Sequence, residues 1–68
     1  MIEITVNGNI SKLDKPTNIN EFLVLKGFEG RSVAVAVNSI VIRRASFSNT
    51  IINDGDVVEI VRPVGGGA

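Results

Sequence analysis

The sequence predicts an α+β fold in which a mixed sheet of four to five strands packs on one helix. Three observations carry that prediction. The first residues alternate apolar and polar and run straight into Asn7-Gly8. One segment, near residues 18–26, has both a capping signal and helical spacing. The remainder breaks into short valine- and isoleucine-rich runs separated by turn residues.

In Met1–Val6, Ile2, Ile4 and Val6 fall on one side and Glu3 and Thr5 on the other, the period of two that marks a half-buried strand. Asn7-Gly8 is the preferred dipeptide of a two-residue hairpin turn. Residues 9–13 therefore read as the returning strand, with Ile10 as its clearest inward residue. Asp14-Lys15-Pro16-Thr17-Asn18 is a turn cluster. Thr17 or Asn18 can cap a helix, and Glu21 follows Asn18 at capping-box spacing. Ile19, Phe22 and Leu23 share a helical face, with Leu25 three residues beyond Phe22. Gly27 stops the helix at the usual left-handed position. One short helix is expected over about Asn18 to Lys26, its apolar group serving as core rather than as a cofactor box.

Val33 to Val37 places three valines in alternation with Ala34 and Ala36. Two small residues on one side suggest a face against which something packs closely. Asn38-Ser39 turns the chain into another short strand, Ile40 to Arg43. Residues 45–53 are less regular, with Phe47 and either Ile51 or Ile52 as anchors to the core. Asp54-Gly55-Asp56 is a turn, Val57 to Arg62 the final strand, and Pro63, lacking a backbone donor, ends the ladder. The order β-β-α-β-β-β, hairpin first and helix between it and the later strands, matches the ubiquitin-like β-grasp arrangement. Residues 1–63 make that domain; residues 64–68 make a flexible C-terminal glycine tail.

Composition narrows the chemistry. Sixty-eight residues form one small domain, and 44% hydrophobic content suffices for a core without staples. Only Phe22, Phe28 and Phe47 are aromatic, so Val, Ile and Leu must supply most of the packing. Seven basic residues balance seven acidic ones, which leaves no electrostatic footprint for nucleic acid. The Arg43-Arg44 pair reads as a solvated strand end. With neither cysteine nor histidine, disulfides and thiolates are excluded, and the commonest general base and metal ligand are missing. Glu3, Glu21, Asp54, Asp56 and Glu59 offer no catalytic pair, and Asp54 with Asp56 reads as turn chemistry rather than a metal site. No catalytic residue and no metal is expected. No apolar stretch approaches the length of a membrane span and no signal peptide opens the chain, so the expected location is the cytoplasm.

Pro63-Val64-Gly65-Gly66-Gly67-Ala68 is a poor way to finish a fold. Glycines have no side chains to pack and the largest backbone entropy to lose. Such a tail suits acceptance by another protein, and its reactive group is the terminal carboxylate.

Taken in order, several segments resemble the ThiS group of β-grasp sulfur carriers, which serve thiazole synthesis for thiamin. They are the opening strand with Asn7-Gly8, residues 33–38, Arg43, Asp54-Gly55-Asp56, residues 57–61, and Val64-Gly65-Gly66-Gly67. The resemblance covers nearly the whole chain. Two positions depart from the family: Ile42 stands where proline often precedes the arginine, and the chain ends in Ala68 rather than glycine.

The resemblance implies a carried substrate rather than an enzyme. A ThiF-like adenylating enzyme uses ATP to form an acyl-adenylate at the terminal residue, and sulfur, ultimately from cysteine through a desulfurase, displaces AMP to leave a thiocarboxylate. A ThiG-like thiazole synthase is the acceptor's catalyst. The carrier itself holds no cofactor. The modified residue would be Gly67 if Ala68 is trimmed, or Ala68 itself if that residue is tolerated. Gly65, Gly66 and Gly67 would thread into partner sites, since residues 64–68 can extend about 16–18 Å. Val57 and Val61 flank the inward Val58 and Ile60, so they point to the opposite face. Beside Ala34 and Ala36 they make a candidate partner surface, continued by Pro63 and Val64.

Other readings share the fold. A MoaD-type carrier of molybdopterin synthesis or a tRNA-thiolation carrier would use the same tail chemistry. A non-covalent β-grasp interaction module would give the tail no chemical role.

Overall fold

The computed structural model describes residues 1–28 and 32–62. Strand β1 (Ile2–Val6) and strand β2 (Asn9–Leu13) form the opening antiparallel hairpin. Its turn residues Asn7 and Gly8 have φ of 50° and 86°, the two left-handed positions that let the connection follow the strands' own twist. Strand β3 (Thr17–Asn18) leads directly into helix α1 (Ile19–Leu25).

The ends of α1 follow from local chemistry. The Asn18 side chain accepts a hydrogen bond from the Glu21 N–H at 2.8 Å, satisfying one of the donors that a helix start leaves unpaired. At the other end Gly27 takes φ 84°, its N–H bonds to the Val24 carbonyl, and the Phe28 N–H reaches back to the Leu23 carbonyl at 2.8 Å. That pair of bonds is a Schellman closure.

Beyond the helix come strand β4 (Ala34–Val37) and strand β5 (Ile40–Ile42), joined by a second left-handed two-residue turn, with Asn38 at φ 52° and Ser39 at φ 71°. A 3-10 helix (Arg44–Asn49), strand β6 (Ile51–Ile52) and strand β7 (Val57–Val61) complete the described chain. The main sheet has the order β2-β1-β7-β4-β5. Its only parallel pair among the described residues is β1 with β7, so the first and last strands lie side by side at the centre. A second, two-stranded sheet pairs β3 with β6. This is the α+β, β-grasp-like fold, with a mixed five-stranded sheet and one α-helix among the described residues.

The core lies between the main sheet and α1. Ile4, Val35 and Val58 from the sheet meet Ile19 and Phe22 from the helix, all nearly inaccessible to solvent. Phe47 is buried by the 3-10 helix, which packs against α1 and β3. The irregular segment therefore covers the helix side of the molecule. Of the two isoleucine anchors left open by the sequence, Ile52 is fully buried while Ile51 is 45% exposed.

Two core expectations are corrected. Ile10 is exposed, and Leu13 is the buried residue of β2. The hairpin register explains it: Thr5 opposes Ile10 and Ile2 opposes Leu13, so Ile10 must share the outward face of Thr5. Leu25 is also exposed. At about 100° per residue it lies some 60° to one side of Phe22, while Ile19 and Leu23 lie to the other. The helix therefore centres its buried stripe away from Leu25. Thr17–Asn18, expected as the end of a turn and a helix cap, also forms β3, and the irregular stretch contributes β6. Two residues are too few for either to show a periodic signal.

Candidate functional site

β7 is the strand that runs toward the glycine tail, and the structure fixes it from both sides. On the β1 side the parallel register pairs Thr5 with Val57 and Val6 with Val58. Past that point the Asn7 side chain takes over. Its Oδ1 accepts from the Ile60 N–H at 2.8 Å and its Nδ2 donates to the Ile60 carbonyl at 3.2 Å. A side-chain amide thus continues the ladder where the chain has already turned away.

On the β4 side the antiparallel register runs from Val37 opposite Val58 to Ala34 opposite Val61. Asn38 plays the matching role at the near end of β7. Its Oδ1 accepts from the Val57 N–H at 2.9 Å and its Nδ2 donates to an Asp56 carboxylate oxygen at 3.0 Å. Both asparagines sit in left-handed turns, a conformation their short polar side chains tolerate better than most.

The acidic turn before β7 is also structural. The Asp54 carboxylate accepts from the Glu3 N–H at 2.8 Å, and Asp56 accepts from the Asn53 N–H at 2.8 Å. Gly55 donates its N–H to the Glu3 carbonyl. Asp54 and Asp56 therefore tie the turn to β1 and shape it, as their spacing suggested. Among the described residues no group of three or more Asp and Glu side chains gathers as a metal cage. No helix among the described residues is long and apolar enough to cross a membrane.

β7 alternates exposed and buried residues, with Val58 and Ile60 inward and Val57, Glu59 and Val61 outward. Val57 is 46% and Val61 59% exposed. Ala34 faces Val61 across the ladder, and Ala36 stands between Glu59 and Val41. The anticipated surface around Val57, Val61, Ala34 and Ala36 therefore exists as an open, largely apolar sheet face opposite α1. Two contributors were missed by the sequence reasoning. Val41 is highly exposed beside Ala36, and Ile10 extends the face at the β2 edge. Residue parity in the two hairpins would have placed both there.

At the far end of β7 the Arg62 guanidinium lies over the Phe28 ring, 5.8 Å from its centroid. This contact joins the residue that follows β7 to the segment that closes α1. Pro63, Val64, Gly65, Gly66, Gly67 and Ala68, and with them the expected tail and its modified residue, lie outside the described residues.

The exposed helix residues Val24 and Leu25 line a separate open depression with Asp14, Lys15, Thr17 and Glu21. It lies on the helix side, away from the outward face of β7.

Comparison with known proteins agrees with this geometry. The model of the ThiS family matches residues 4–67. A crystal structure of the thiamine biosynthesis protein ThiS from Geobacter metallireducens superposes with a TM-score of 0.84 at 38% identity, covering 97% of this chain and all of that one. The solution structure of a thiamine biosynthesis protein from the same organism gives a TM-score of 0.75 at 37% identity, over 98% and 90% of the two chains. An uncharacterized protein, ycf40 of Porphyra purpurea, is 35% identical over 97% of this chain and 93% of its own length. A protein named thiazole synthase from Paramagnetospirillum magneticum is 30% identical over 98% of this chain, within 21% of its own length.

Proposed function

The chain belongs to the ThiS family, and on that basis we propose that it is a sulfur carrier in thiamin biosynthesis whose carboxyl-terminal residue is converted to a thiocarboxylate. The observation that carries this reading is the unbroken family match from the first strand through Gly67, over a body that directs β7 toward the glycines.

A carboxylate resists attack because its leaving group would be oxide. Activation by a ThiF-like enzyme removes that obstacle: the carboxylate attacks the α-phosphorus of ATP, pyrophosphate leaves, and an acyl-adenylate forms. The persulfide that a desulfurase forms from cysteine supplies the sulfur: reduction by a thiol, which becomes a disulfide, releases sulfide, and the sulfide attacks the acyl carbon and expels AMP. Beyond its terminal carboxylate the chain is asked for no nucleophile or base, and its lack of cysteine and histidine is compatible with that role. Gly65, Gly66 and Gly67 provide the narrow backbone that two different active sites can admit.

The residue that carries sulfur is Gly67 if Ala68 is removed, or Ala68 itself if that residue is tolerated. The outward face of β7, with Val57 and Val61 exposed on it, is the docking surface for the activating enzyme and for thiazole synthase. The thiazole branch, rather than a molybdopterin or tRNA acceptor, is supported by the relative in which a segment like this chain sits within a protein named thiazole synthase.

Intact-mass measurement tests the proposal directly. The protein is incubated with the activating enzyme, ATP and a sulfur source. The full-length chain and a chain ending at Gly67 are treated alike; a mass increase equal to one sulfur-for-oxygen exchange is expected for the chain ending at the residue that carries sulfur. An unchanged mass for both chains in the presence of active partner enzyme would reject the carrier role.

A further inference from the structure

Glu59 is a carboxylate set in the middle of the apolar outward face. Along β7 it lies between Val57 and Val61. Across the ladder it opposes Ala36, and the next strand contributes Val41 in the same row. On the other side, the registered β1 pairs end at Val58, and Asn7 is engaged with the Ile60 backbone. The other outward acid of the central strands, Glu3, differs in its setting: Lys12 stands directly opposite it on β2. Among the described residues the register sets no such cation opposite Glu59; Arg43 comes only after the last registered pair at the β5 edge.

While the face is open to water, Glu59 is solvated at little cost. When a partner covers the surrounding valines, the carboxylate is taken out of water with them. An unpaired buried charge costs far more than flanking apolar contacts of this size return. A partner that docks here must therefore bring a compensating cation to the centre of its own apolar patch.

We propose that the surface of thiazole synthase that receives this face carries one lysine or arginine, ringed by apolar side chains, that pairs with Glu59. This rests on the docking role assigned to the face under the proposed function. Apolar complementarity alone would admit many partners, whereas a single buried charge pair rejects any apolar surface that lacks the cation. Glu59 thereby acts as the specificity-determining residue of the face.

The test is titration of thiazole synthase with the full-length chain and with Glu59→Gln and Glu59→Lys at several salt concentrations. Circular dichroism confirms that each variant is folded. Glu59→Gln is expected to weaken binding by about 30-fold or more, because it strands the partner's cation. Glu59→Lys should weaken it further, and the salt dependence of the wild-type affinity should flatten in Glu59→Gln. Equal or tighter binding by Glu59→Gln would mean that the carboxylate only keeps the free face soluble, and would overturn the inference alone. Failure of the wild-type chain to bind thiazole synthase would overturn both this inference and the docking role, while the mass measurement would still report separately on sulfur loading.

Discussion

The side chain of Asn7 holds the backbone of Ile60 by both its N–H and its carbonyl, across 53 positions of sequence. One residue thus does two jobs: its left-handed backbone turns the first hairpin, and its amide extends the sheet to the strand that leads to the tail. Asn7→Ala should lose both hydrogen bonds and strain the turn, costing about 1–3 kcal/mol. Asn7→Gly keeps the backbone conformation and loses only the bonds, so it should cost less. Urea unfolding of the three proteins separates the two contributions; equal stability in all three would show that the amide contributes nothing.

Ser39 holds φ 71° in the second hairpin turn without being glycine. Relieving a left-handed conformation recovers about 1–2 kcal/mol, offset by about 0.5–1 kcal/mol of extra unfolded-state entropy for glycine. Ser39→Gly is therefore expected to stabilise the fold by about 0.5–1 kcal/mol, seen as a higher Tm. A lower Tm would mean that the Ser39 side chain makes a contribution larger than its strain.

Val61 stands outward and more than half exposed at the end of β7, opposite Ala34. Val61→Asp should leave the circular dichroism spectrum and unfolding midpoint close to wild type, since exposed substitutions usually fall within about 0.5 kcal/mol. Binding to the activating enzyme and to thiazole synthase should be lost, because a charge is placed where apolar surface must be buried. Retained binding would move the docking site elsewhere.

Removing residues 66–68 should abolish thiocarboxylate formation and leave thermal unfolding unchanged. A β-grasp module acting only by non-covalent contact would instead keep its function after this truncation. Complementation of a strain lacking the carrier distinguishes the two outcomes.

Much of this architecture was legible in the sequence because its signals are local. The Asn7-Gly8 turn, the Asn18 cap, the Gly27 stop and the alternation in Val57–Val61 each depend on neighbours within a few residues. The misplacement of Ile10 arose from reading hydrophobicity without carrying the turn through to its register. With residues 7 and 8 as the turn, residue 10 must face residue 5, and Thr5 points outward. Leu25 failed for a related reason, since spacing from Phe22 alone does not say on which side of the stripe a residue falls. The β3–β6 pair was hidden because two-residue strands have no period to detect. Nor could the sequence reveal that Asn7 and Asn38 brace β7, because those contacts join turns and strand across long separations. The outward valines were legible; the carboxylate's isolation among them required the sheet order.

The central position of β7 also governs how the protein bears mechanical load. If a partner draws on the chain end, as the proposed function requires, the load reaches β7 through Val61. Because β7 is hydrogen-bonded to β1 on one side and β4 on the other, such tension shears two ladders at once instead of unzipping an edge. Under the proposed function the body would thus serve as a rigid handle for whichever partner holds its end.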